Sequence, residues 1–98
     1  MYDLDRDRYK ELKHFCRQYP KWRNERSASP LEDKLDIENA MLLIEMTAAA
    51  TSSVYGPWIL MCVTGDRTYS QIKPPCDNEI FDYYIRKFYW LLDKRKGV

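Results

Sequence analysis

Apolar residues along this chain recur at intervals of three and four, and no stretch alternates residue by residue for long enough to make a strand. Tyr9, Leu12, Phe15 or Cys16, and Tyr19 share one face of a helix predicted over about 5–19. Pro20 interrupts it, because proline lacks a backbone donor and restricts the residue before it. The same proline can start a short turn carrying Trp22. After a small-residue break at 27–30, Ser29 is the expected N-cap of a second helix. Pro30 takes its first position and Glu32 closes a capping box. In this helix Leu31, Leu35, Leu42, Met46 and Ala49 are expected to form the inward stripe, and Ile37, Met41, Ile44 and Ala48 add a second one. A helix apolar on two faces is expected at the centre of its domain.

The pattern fades at Thr51-Ser52-Ser53 and restarts at Gly56-Pro57. A short apolar helix is predicted over 57–64, stopped near Gly65. Thr68 caps another through Ile72, which Pro74-Pro75 ends. Asp77 is the expected N-cap of a last helix running to about Lys94, with Phe81, Tyr84 or Ile85, Phe88, and Leu91 or Leu92 as its stripe. The expected architecture is therefore all-α: four or five helices in a single domain spanning 1–98. Its parts are an N-terminal helix and turn (1–28), a central helix (29–53) and a helix-turn-helix-like unit (57–95).

Composition narrows the classes. With 98 residues of which 45% are apolar, the chain can bury a core without staples. A charged fraction of 32% at a net charge of +1 describes neither a disordered tail nor a protein that coats nucleic acid by bulk charge. That near-neutral total conceals segregation: 1–28 carry +3, 29–53 carry −4, and 54–76 and 77–98 carry +1 each. No segment reads as a secretion signal or a membrane span, so the expected location is the cytoplasm, with Cys16, Cys62 and Cys76 as reduced thiols.

Candidate chemistry is sparse. His14 and Cys16 lie two apart, which on a helix points them to nearly opposite sides, and no paired-cysteine zinc spacing is present. No signature of a nucleophile with its base surrounds the single histidine, and Gly56, Gly65 and Gly97 are scattered rather than gathered in a phosphate loop. The expectation is a binding protein without enzymatic activity, metal, cofactor or small-molecule substrate.

The last 40 residues carry more information. A helix, a turn at Gly65-Asp66-Arg67, a short helix, a second break and a long helix make the outline of a helix-turn-helix. In that arrangement the last helix enters the DNA major groove. Asn78 could pair with adenine and Arg86 with guanine or phosphate, with Lys87 beside it, while Arg67, Gln71 and Lys73 would contact the backbone.

Two stretches add a resemblance. Thr68-Tyr69-Ser70-Gln71-Ile72-Lys73-Pro74-Pro75-Cys76 is followed by Phe81, then Arg86-Lys87-Phe88-Tyr89-Trp90-Leu91-Leu92. Together with Phe15-Cys16-Arg17-Gln18-Tyr19-Pro20-Lys21-Trp22, they resemble small prophage-encoded, sigma-factor-like helix-turn-helix regulators of Gram-positive bacteria. The resemblance covers both ends of the chain and implies a DNA-binding regulator of a mobile element, with recognition on residues 77 to 87.

That segment departs from the family's expected pattern, in which the helix start is rich in Arg. Asp77, Glu79 and Asp82 outnumber Arg86 and Lys87, and carboxylates oppose phosphate binding. A second class of function follows, an anti-CRISPR-type inhibitor built on a similar scaffold that binds a host nucleic-acid-binding protein, a CRISPR nuclease. Its partner face would combine Glu79 and Asp82 with the aromatics Tyr83, Tyr89 and Trp90, which could otherwise serve a homodimer.

Overall fold

The computed structural model describes residues 4–25, 31–65 and 67–96, with 31–33 as backbone only. It is all-α. The described residues form α1 (Arg6–Arg17), α2 (Tyr19–Glu25), α3 (Leu31–Thr51), α4 (Gly56–Gly65), α5 (Tyr69–Ile72) and α6 (Asn78–Lys96). The short elements α2 and α5 bring the count to six. Pro20 stands in the first turn of α2, where its missing N–H costs nothing, and Gln18 is the single turn residue between α1 and α2. The expected capping box on Ser29, Pro30 and Glu32 lies outside the described residues.

Two long helices, α3 and α6, pack along one another, with α4 against α3 and α1 closing over α4 and α6. The core gathers Leu12 and Cys16 from α1, Met41, Ile44 and Ala48 from α3, Ile59 and Val63 from α4, and Phe81, Phe88, Tyr89 and Leu92 from α6. An ion pair from Arg8 to Asp93 ties α1 to the end of α6, and this partnership raises the arginine's pKa further. None of the described helices is long and apolar enough to cross a membrane.

The two apolar stripes of α3 are assigned opposite to expectation. Ile37, Met41, Ile44 and Ala48 face the core, whereas Leu35, Leu42 and Met46 are half-exposed, and Ala49 is also outside. The reason is steric. A Cβ on Gly56 would stand 3.3 Å from the Ala48 carbonyl oxygen, so α4 approaches α3 at its small residues and the leucines cannot fit between them. Thr47 and Thr51 are buried on that same side. Their hydroxyls donate to the carbonyls of Leu43 and Thr47, at 2.6 and 2.7 Å, which satisfies them internally.

The C-terminal half forms as its punctuation predicts. Gln71 Oε1 accepts the Thr68 N–H at 2.9 Å and fixes the start of α5. Lys73 ends α5 in the left-handed region (φ 52°), its N–H donating to the Tyr69 carbonyl at 2.8 Å. Pro74 follows and prevents continuation. The Asp77 carbonyl then accepts the Phe81 N–H at 2.9 Å, the first bond of α6.

Candidate functional site

The residues expected to meet DNA sit on α5, on α6 and on the two connections that flank α5. Arg67, Gln71, Lys73, Asn78 and Arg86 are exposed and Lys87 is half-buried. Their availability differs. Gln71 is engaged in capping α5. Arg86 donates to Asp82 one turn earlier at 3.1 Å, so the cation nearest the start of α6 is neutralised by its own helix. Asn78, Glu79 and Asp82 are exposed beside it, which leaves the first two turns of α6 acidic.

Arg67 keeps different company. It follows α4 and lines two adjacent hollows. One, of about 150 Å³, is shared with Lys13 and Arg17 of α1, over a floor that includes Tyr9, Val63 and Tyr89. The other, of about 320 Å³, is shared with Arg23 of α2 and bounded by Tyr19, Leu60 and Met61. Lys13, Arg17, Arg67 and Arg23 thus form a row of four cations, and among the described residues no carboxylate lines either hollow. Lys13 and Arg17 are one helical turn apart on α1, and the bend at Gln18 sends α2 off so that Arg23 reaches the far hollow. The row fits an extended anion: point charges spaced along a shallow surface, with an apolar floor that lowers the local dielectric.

Sequence reasoning found Arg67 and missed the other three. The signal was present in the +3 of residues 1–28 and the four-residue spacing of Lys13 and Arg17. What it lacked was the packing of α1 against α4 and α6, which places these cations beside Arg67.

The aromatic face divides differently from expectation. Tyr89 is not available to a partner: it is 3% exposed, its ring 4.9 Å from that of Tyr9 and 5.2 Å from that of Phe88. Position 89 is one residue after the core position Phe88, so it lies on the flank that α1 covers. Burial pushes the Tyr89 hydroxyl well above the ordinary tyrosine range, and that of Tyr9 upward too. Trp90 is half-buried with the Lys94 ammonium 4.8 Å from its ring centroid. Tyr83 remains 44% exposed, its ring edge-on to Tyr84 at 5.3 Å.

His14 is exposed and hydrogen-bond-adjacent to Gln18, while Cys16 is buried in the core. Among the described residues, no three His, Cys, Asp or Glu side chains converge as metal ligands would. Burial raises the Cys16 thiol from about 9 to about 12. The unfolded chain therefore ionises Cys16 at lower pH than the folded one, and so does Tyr89. Stability from these groups is complete below pH 9 and is lost as pH rises through the interval above it. The thermal midpoint is expected to fall steadily above pH 9, and a Cys16→Ala variant to show a shallower fall. A midpoint flat to pH 11 would contradict the buried thiol and phenol. In neutral solution, iodoacetamide should modify Cys16 only after denaturation.

No family model, curated protein or solved structure matches this chain.

Proposed function

We propose that the protein is a non-enzymatic DNA-binding regulator whose grip on the duplex comes from Lys13, Arg17, Arg67 and Arg23 rather than from the start of α6. The observation that carries this reading is the convergence of those four cations on two hollows that, among the described residues, no carboxylate lines. Phosphate neutralisation supplies most of the non-specific affinity of a DNA-binding protein, and only a surface of one sign can deliver it. The resemblance of the C-terminal half to prophage helix-turn-helix regulators supports the same reading. The exposed Asn78 remains its candidate for reading a base edge.

The direct test is titration of a labelled duplex, taken from the operon that encodes the protein, over a range of salt concentrations. Binding should weaken linearly in log–log form, and Arg67→Ala should lower the slope by about 1. Absence of any shift at low salt defeats the reading.

A second reading, the inhibitor that binds a host CRISPR nuclease, is favoured by the exposed Tyr83 beside the acidic pair Glu79 and Asp82. One substitution separates the two. Asp82→Asn removes a carboxylate and releases Arg86, so it should tighten duplex binding a few-fold if α6 faces DNA. It should weaken binding to a basic protein partner if α6 faces one.

A further inference from the structure

The outer side of α3 is an apolar surface with no partner among the described residues. Leu35, Leu42 and Met46 are 52%, 50% and 53% exposed, an unusual state for three large side chains on a helix that packs against α2, α4 and α6. With the exposed Asn39 and Ala49 they occur at spacings of four, three, four and three. That is the a/d repeat of a helix seam that packs against another helix, with Leu35, Leu42 and Ala49 at d and Asn39 and Met46 at a. The domain core uses the opposite side of α3, so the seam is spare apolar surface rather than a misread core.

The edges of the seam say what fits it. Its flanking e and g positions hold Asp36, Glu38, Leu43, Glu45, Ala50 and Ser52: three carboxylates and no cation. Among the described residues neither Asp36 nor Glu38 is engaged in an ion pair, while Glu45 accepts the Tyr19 hydroxyl. Beyond Ala49 the surface continues into an open groove of about 470 Å³ between α3 and α4, bounded by Ala48, Pro57 and Leu60 with Glu45 at its rim. A second copy docking through the same face would set carboxylates beside carboxylates without a lysine or arginine to pair them.

We propose that this face of α3 docks an amphipathic helix of another protein, apolar along one seam and basic at its edges. Residues 35 to 49 span about 21 Å at the rise of an α-helix, which calls for roughly four turns of partner. None of the seam residues from Leu35 to Ala49 lines either hollow of the cation row, so the inference stands apart from the DNA reading. Loss of duplex binding on altering Arg67 would not touch it.

The test uses the full chain and two synthetic peptides of about 21 residues, each with leucine at a and d. One carries lysine at e and g, the other glutamate. The lysine peptide is expected to bind and the glutamate peptide not to, as read by fluorescence anisotropy. Leu42→Asp adds a negative charge yet removes apolar contact. Docking predicts that it weakens the lysine peptide at least about tenfold, whereas attraction by charge alone predicts that it tightens it. Met46→Ser checks the same point without altering charge, should Leu42→Asp disturb the fold. Failure of the lysine peptide to bind, equal binding of both peptides, or unchanged affinity after both substitutions overturns the proposal. So does a dimer by sedimentation equilibrium that Leu42→Asp dissolves, since a second copy would then be the occupant.

Discussion

Replacing Phe88 by alanine is expected to cost about 3–5 kcal/mol of folding stability. Phe88 is wholly buried and is the largest fully enclosed side chain of the core, on the helix that meets α1, α3 and α4 together. Truncation removes apolar contact and leaves a cavity that three helices would have to close at once, and packed elements relax only in part. A chain of 98 residues has about 5–15 kcal/mol in total at 0.05–0.15 kcal/mol per residue, so the loss is a large share of it. Urea unfolding followed by far-ultraviolet dichroism should show a much lower midpoint with little change in slope. Tyr83→Ala, on the exposed side of the same helix, should stay within about 0.5 kcal/mol of the parent. A Phe88→Ala variant less than 1 kcal/mol weaker would mean that the core is not centred where α6 crosses its neighbours.

Reversing three cations together, Lys13→Glu, Arg17→Glu and Arg67→Glu, is expected to remove duplex binding while the fold persists. All three line the same hollow, and Arg17 and Arg67 are exposed, so their loss opens no cavity in the core. Four phosphate contacts predict a log–log salt slope near −3.6, equivalent to about a hundredfold weakening between 50 and 200 mM salt. Reversal both deletes three of those contacts and adds three repulsions, so the expected loss exceeds about a hundredfold at low salt. Anisotropy with a labelled duplex measures it, and helical dichroism checks the fold. Affinity retained within a few-fold would place the DNA contact elsewhere, and the remaining candidates would be Asn78, Lys87 and Lys73. The further reversal of Arg23 should then have no effect either.

Much of the fold can be read along the chain because its signals are local. Pro20 and Pro74 mark where helices cannot continue, Thr68 and Gln71 mark where one begins, and Phe81, Phe88 and Leu92 repeat at the period of a helix. These are consequences of backbone donors, ring closure and side-chain direction within a few residues, which no distant contact has to supply. The candidate site was legible only where it lay in the C-terminal half. Arg67 stood out beside the turn, but nothing local relates it to Lys13 or Arg17, 50 or more residues earlier.

Local pattern alone therefore determined an all-α chain, the positions of its breaks, and the separation of basic, acidic and mixed segments. Tertiary packing decided which apolar stripe of α3 is buried, that Tyr89 belongs to the core, and that α1 supplies cations to Arg67. For α3 the physical reason lies in how closely its neighbour can approach. A helix with two apolar sides has no internal preference between them. The choice is made by the partner that can come closest, here α4 at Gly56 over Ala48, where small residues rather than large ones let the two backbones approach.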